Sequence, residues 1–212
     1  MHAGMFTPIF LRLLNAVLRY PAQKKTFQIS FFFAASAVTS SIETAGRFSE
    51  LSRTNQQKFF VDLFKQQYGQ IEDLSIEVVG GAPALYATIK GVKQKIPLTA
   101  VSGAINRILA ILLAIVTRPK SVVLVDEADN GVYFKRHRAF CRTLLTFARE
   151  FEAQLFLSTH NEEWLTALAH EAGEKSDDLA LWRVEQTDNG PIIKQFSGTA
   201  FIAAEEYGGE IR

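Results

Sequence analysis

The densest apolar run in the chain lies at residues 105–116, where Ile105, Ile108, Leu109, Ile111, Leu112, Leu113, Ile115 and Val116 leave almost no polar face. A helix apolar on most sides has to be buried, and Arg118-Pro119 marks its end. Such a helix needs a sheet to pack on. Short apolar runs at 121–125, 154–158 and 179–184 read as its strands. Between the first two, Phe140, Leu144, Phe147, Ala148 and Phe151 fall on one helical stripe, and 162–172 reads as a second helix. Strand, helix, strand, helix, strand with short connections predicts right-handed crossovers and a parallel sheet. The turn-forming run Asp188-Asn189-Gly190, followed by an apolar run at 192–195, predicts an antiparallel edge hairpin at the C-terminal end.

Upstream the pattern is less regular. Residues 27–35 are short, aromatic-rich and continuously apolar, which suits a buried strand. Helices are expected at 43–51 and at 55–68, the latter with Phe59, Phe60, Leu63 and Phe64 at helical spacing. The runs 74–79 and 84–89 flank Gly80-Gly81-Ala82-Pro83 and read as a hairpin. Residues 1–26 read as an amphipathic N-terminal helix through Phe6, Ile9, Phe10, Leu13, Leu14 and Val17, ending near Pro21. The expected fold class is α/β, a largely parallel sheet flanked by helices, with residues 27–212 forming one domain.

Composition narrows the function little. A chain of 212 residues, 48% hydrophobic, is long enough for one substantial core. With 23 basic and 22 acidic residues the formal charge is +1, so any nucleic-acid binding must come from a local patch. One such patch is Lys135, Arg136, Arg138 and Arg142, which load the first turns of a helix with cations against its dipole. They read as a solvated face or as a DNA contact. The single cysteine, Cys141, falls on an apolar helix side and suits packing in a reducing compartment. Arg12 interrupts the N-terminal apolar stretch and no small-residue cleavage site follows, which argues against a signal peptide. The uncharged 27–42 run is shorter than a membrane helix needs. A cytoplasmic location, with no membrane partner, is expected.

The chemistry concentrates at two strand ends. Val122-Val123-Leu124-Val125 runs into Asp126-Glu127, and one crossover later Leu155-Phe156-Leu157 runs into Ser158-Thr159-His160. Open α/β sheets bind ligands at the carboxyl ends of their strands. Adjacent carboxylates there point to different sides, so that one can serve a metal and the other a water. His160 would lie on the same edge, within reach of a terminal phosphate. Ser102-Gly103 precede the buried helix, where they read either as a plain N-cap or as an anion site built from backbone N–H groups and the helix dipole. No Gly-x-x-x-x-Gly-Lys-Ser/Thr phosphate loop occurs in the 212 residues.

Val101-Ser102-Gly103-Ala104, then Asp126-Glu127-Ala128-Asp129-Asn130-Gly131, then Ser158-Thr159-His160 resemble the signature, Walker B, D-loop and His-switch elements of ABC-class ATPases. More narrowly they resemble bacterial AAA-type ATPases related to the overcoming-lysogenization-defect and recombination-type enzymes. The resemblance runs from about Phe27 to the end. Ala104 stands where the signature usually has a second glycine, and Val132-Tyr133 stand where relatives often show Leu-His. The resemblance implies ATP and Mg²⁺ as cofactors, with Asp126 on the metal through water, Glu127 as the catalytic carboxylate and His160 sensing the γ-phosphate. It implies that Ser102, Gly103 and Asn130 face nucleotide in a head-to-tail dimer, or opposite a separate Walker A-bearing chain. Lacking the phosphate loop, the chain resembles the C-terminal half of such an ATPase. The rival expectations are a non-catalytic interaction module or truncated remnant, and a metal nuclease using Asp126, Glu127 and Asp129.

Overall fold

Two sheets share one hydrophobic core in the computed structural model, which describes residues 14–18, 29–35, 40–188 and 190–206. In chain order the elements are β1 (Leu14–Leu18), β2 (Ile29–Phe33), α1 (Ser41–Arg53), α2 (Gln57–Gln67), β3 (Ile71–Val79), β4 (Ala82–Ile89) and β5 (Ile96–Pro97). They continue with α3 (Leu98–Val101), α4 (Gly103–Thr117), β6 (Val122–Val125), α5 (His137–Glu150), β7 (Gln154–Thr159), α6 (Glu162–Ala172), β8 (Leu179–Thr187), β9 (Gly190–Ser197) and α7 (Gly198–Glu206). A six-stranded sheet has the order β2-β6-β7-β1-β8-β9, and a three-stranded antiparallel sheet has the order β3-β4-β5.

The mixed α/β class expected from the sequence is the class observed. Strands β2, β6 and β7 are parallel neighbours, in the register Phe33↔Val125 and Val125↔Leu157. Strand β8 runs in the same direction as β7 but does not touch it, because β1 lies between them, antiparallel to both. The C-terminal hairpin is β8 with β9, as expected, and α7 after it was not foreseen.

The N-terminal helix expected over residues 1–26 is corrected at Leu14–Leu18, which is strand. The rest of that segment lies outside the described residues. A run this short cannot be told from a strand by periodicity, and backbone partners on both sides, Leu14↔Thr159 and Leu18↔Leu179 among them, override a local helical pattern.

The core is built around α4, in which every residue from Ile108 to Val116 is buried. Cys141 packs inside it, and burial pushes its thiol well above the usual range. Phe60 on α2 joins three helices. Its ring meets Phe48 of α1 edge-on at 6.2 Å and Phe147 of α5 edge-on at 5.6 Å, and stacks on Phe64 at 6.1 Å. Among the described residues no helix is long and apolar enough to cross a membrane.

Phe60 is fully buried, so Phe60→Ala should destabilise the chain by about 3–5 kcal/mol, the usual cost of an emptied aromatic site. Urea denaturation checks this, and a loss below about 1 kcal/mol would mean that the three helices do not close on that ring.

Candidate functional site

The parallel register sets the site. Because Val125 pairs with Leu157, the residues that follow, Asp126 and Ser158, emerge side by side at the same sheet edge. The Ser158 hydroxyl donates to Asp126 Oδ1 at 2.6 Å and accepts the Glu127 N–H at 2.8 Å. The Ala128 N–H donates to the Ser158 carbonyl at 2.8 Å, and the Asp126 N–H to the Phe33 carbonyl at 2.8 Å. One residue on, the Thr159 hydroxyl donates to Asp129 Oδ1 at 2.5 Å and accepts the Asn161 N–H at 3.1 Å. The ends of β2, β6 and β7 are thus laced together around the two carboxylates.

Glu127 sits in the left-handed region, with φ 46°. That conformation costs a non-glycine residue about 1–2 kcal/mol and persists only where the surroundings fix it. It turns the chain sharply after β6. Asp126 and Glu127 are half-buried, and Asn130 is exposed, donating from Nδ2 to the Ala35 carbonyl at 3.1 Å.

Arg107 of α4 reaches the same turn. Its Nη2 donates to the Asp126 carbonyl at 2.6 Å and more weakly to that of Glu127 at 3.4 Å, and its Nη1 donates to Ala35 at 3.3 Å. Burial pulls the pKa of Arg107 below its ordinary value, while the carboxylates of Asp126, Glu127 and Asp129 pull it back up. Sequence reasoning passed over this residue. Its signal was there, because Arg107 is the one charge in Gly103–Thr117.

The remaining expected residues fall around this edge. His160 follows β7, exposed, between the Thr159 bridge and Asn161, whose side chain caps α6 by accepting the Trp164 N–H at 3.1 Å. Ser102 caps α4, its hydroxyl accepting the Ile105 N–H at 3.5 Å. A Cβ at Gly103 would meet no atom of the described residues within 4 Å, so tight packing among them does not explain the glycine. Roughly 7.5 Å of helix rise separates Ser102 from Arg107, which bonds the backbone carbonyls of the turn that carries the carboxylates. Two of the four clustered cations are already engaged. Arg138 and Arg142 each bond Glu171 of α6 at 2.7 Å, and although burial raises the Glu171 pKa, these bonds outweigh it and hold the carboxyl low. A polar groove over α2 and the start of β3, with Lys58, Asp62, Lys65, Glu72 and Asp73, is lined by none of the expected residues.

The donor set suits Mg²⁺, which takes one or two carboxylates and leaves the rest of its shell to waters and phosphates. Ser158 engages one oxygen of Asp126, leaving Oδ2 without a protein donor among the described residues. Three carboxylates lie near one guanidinium here. Among the described residues no three His, Cys, Asp or Glu side chains converge as a metal cage, and Asp129 is tied to Thr159.

A family model described as "AAA domain, putative AbiEii toxin, Type IV TA system" matches residues 8–165, a span containing Ser102, Asp126, Glu127 and His160. A Helicobacter pylori protein described as "ATP/GTP phosphatase" is 25% identical over 115 residues, covering 52% of this chain and 31% of that protein. The chain thus spans about a third of the length of that curated relative. Among solved structures, one reported under "Structural biochemistry of ATP-driven dimerization and DNA stimulated activation of SMC ATPases" gives a TM-score of 0.50 at 13% identity, over 82% of this chain and 99% of that one. The SmcHead bound to the C-winged helix domain of ScpA also gives 0.50, at 14% identity, over 78% of this chain and 55% of that one. At these identities the likeness is one of fold.

Ser158→Ala removes a donor to Asp126 and an acceptor for Glu127 together. It should cost about 1–3 kcal/mol, as expected when partly buried polar groups lose their partner, with the Glu127 amide exchanging faster. Urea denaturation with amide exchange measures both. An unchanged Glu127 amide would mean that the hydroxyl does not hold the turn.

Proposed function

The chain belongs to the AAA/ABC-type P-loop ATPases, and on that premise we propose that its β6–β7 edge is the catalytic face for Mg-ATP hydrolysis, coupled to a conformational change in a larger assembly. The observation that carries this reading is the joint hold of Ser158 on Asp126 and Glu127. That hold fixes the two adjacent residues at one strand end, which supports a division of roles between a metal ligand and a water-orienting group. In this reading Asp126 would hold Mg²⁺, which would supply charge neutralisation at the phosphate oxygens. Glu127 orients the attacking water and accepts its proton. His160, exposed at the next strand end, donates to the γ-phosphate.

Ser102, Gly103 and Asn130 then face a nucleotide held mainly by a second subunit, in a head-to-tail homodimer or opposite a Walker A-bearing chain. The open space at Gly103 supports this, since a glycine with room for a Cβ is suited to close approach from outside. A DNA partner gains less from this patch, as Glu171 already pairs with two of the clustered arginines and offsets one of their two charges. A second reading, an interaction module without turnover, is favoured by the absence of a Gly-x-x-x-x-Gly-Lys-Ser/Thr sequence in these 212 residues.

Phosphate release from Mg-ATP, measured for the wild-type chain and for Glu127→Gln, decides between them. Turnover is expected, lowered by about 10²–10⁴-fold in Glu127→Gln, the usual contribution of a positioned base, with nucleotide binding retained. Binding without turnover in the wild type, alone and with a phosphate-loop-bearing partner, would leave the non-catalytic module.

A further inference from the structure

We propose that Arg107 is a positioning residue for Glu127, coupling the Ser102-Gly103 end of α4 to the turn that carries the carboxylate. The inference deepens the ATPase reading and rests on it for its kinetic consequence alone.

Arg107 is an odd residue for the helix that carries it. In a helix buried from Ile108 to Val116, a half-buried guanidinium must find hydrogen-bond acceptors or it opposes folding. Three carboxylates lie close enough to favour its charge, yet the bonds it makes go to backbone carbonyls, those of Asp126, Glu127 and Ala35. A planar fork can hold carbonyls on two chain segments at once, which a lysine's single ammonium cannot do with the same geometry. The segments it joins are the end of β2 and the end of β6, and Asn130 binds the same Ala35 carbonyl from the other side of the turn.

Glu127 needs such a hold because its φ of 46° is not a conformation that it keeps unaided. The turn is gripped from two directions. On one side, Ser158 takes the Glu127 and Ala128 amides through its hydroxyl and carbonyl. On the other, Arg107 takes the carbonyls of Asp126 and Glu127. The Ser158 side belongs to β7 and moves with the sheet. The Arg107 side belongs to α4 and moves with the helix whose first residues are Ser102's cap and Gly103. A shift of that helix end, such as a nucleotide or second subunit would impose, is therefore transmitted to the catalytic carboxylate through one guanidinium. The Arg107 Nε, buried and without a partner among the described residues, adds no competing tether there.

The test compares wild type, Arg107→Lys and Arg107→Met by site-resolved amide exchange, with Mg-ATP turnover measured in parallel. The expected result is exchange at residues 126–130 accelerated by about tenfold or more in Arg107→Met, a local opening, while β7 and the C-terminal half of α4 keep their protection. Arg107→Lys should fall between. Turnover should show a lowered kcat with KM little changed, as for a group that acts through the transition-state arrangement. Unchanged exchange at 126–130 would overturn the proposal, and so would loss of protection spread evenly over β6, β7 and α4, which marks a merely structural role. Should Arg107→Met fail to fold, Arg107→Lys decides the same question through its local against its global exchange. Absence of turnover in the wild type would sink the ATPase reading and leave the exchange result to judge Arg107 separately.

Discussion

The hydroxyl of Ser158 is the interaction on which the candidate site depends. It is a donor and an acceptor at once, and the parallel pairing of β6 with β7 delivers it to a point where Asp126 needs a donor and Glu127 an acceptor. A one-residue slip would send Ser158 to the opposite face of the sheet, and the carboxylates would lose their common anchor. The register is in turn fixed by the core, since Val123, Val125, Leu155 and Leu157 are all buried. The long chain of apolar positions and the few polar atoms at its end are thus one device, in which burial supplies the alignment and the hydroxyl converts it into side-chain geometry.

What the sequence made legible was whatever depends on local pattern. The uninterrupted apolar run gave α4, the stripe from Phe140 to Phe147 gave α5, and the turn at Asp188-Asn189 with the run after it gave the terminal hairpin. Asp126, Glu127 and His160 were visible because strand ends in α/β sheets are marked by a change from apolar to polar residues. The misses have a common cause, which is that each depends on a partner distant in sequence. Leu14–Leu18 is helical by spacing and becomes a strand because β7 and β8 offer it backbone partners. Ser158 was noticed as part of Ser-Thr-His, but its double bond to the Asp126-Glu127 turn requires the strand register. Arg107 was an isolated charge in an apolar helix, a sign that some acceptor must lie opposite, though the sequence does not say that the acceptors are carbonyls at the ends of β2 and β6.

The family assignment and the fold agree with a nucleotide-facing sheet edge, and the geometry separates two parts of such a site that are usually discussed together. The part that aims the carboxylates is contained in this chain, held by Ser158, Thr159 and Arg107. The part that cradles phosphate on backbone amides has no Gly-x-x-x-x-Gly-Lys-Ser/Thr counterpart in these 212 residues. Electrostatics give the same division. The edge sets the carboxylates of Asp126, Glu127 and Asp129 around one guanidinium, an arrangement that favours a cation over a bare anion.

Binding of the metal-nucleotide complex at the β6–β7 edge is tested most directly by paramagnetic broadening of backbone amides by Mn²⁺, with and without ATP. The predicted result is ATP-dependent broadening centred on residues 126–130 and 158–160, abolished by Asp126→Asn. Broadening centred instead on the groove with Asp62, Glu72 and Asp73, or broadening at the edge that Asp126→Asn leaves intact, would contradict it.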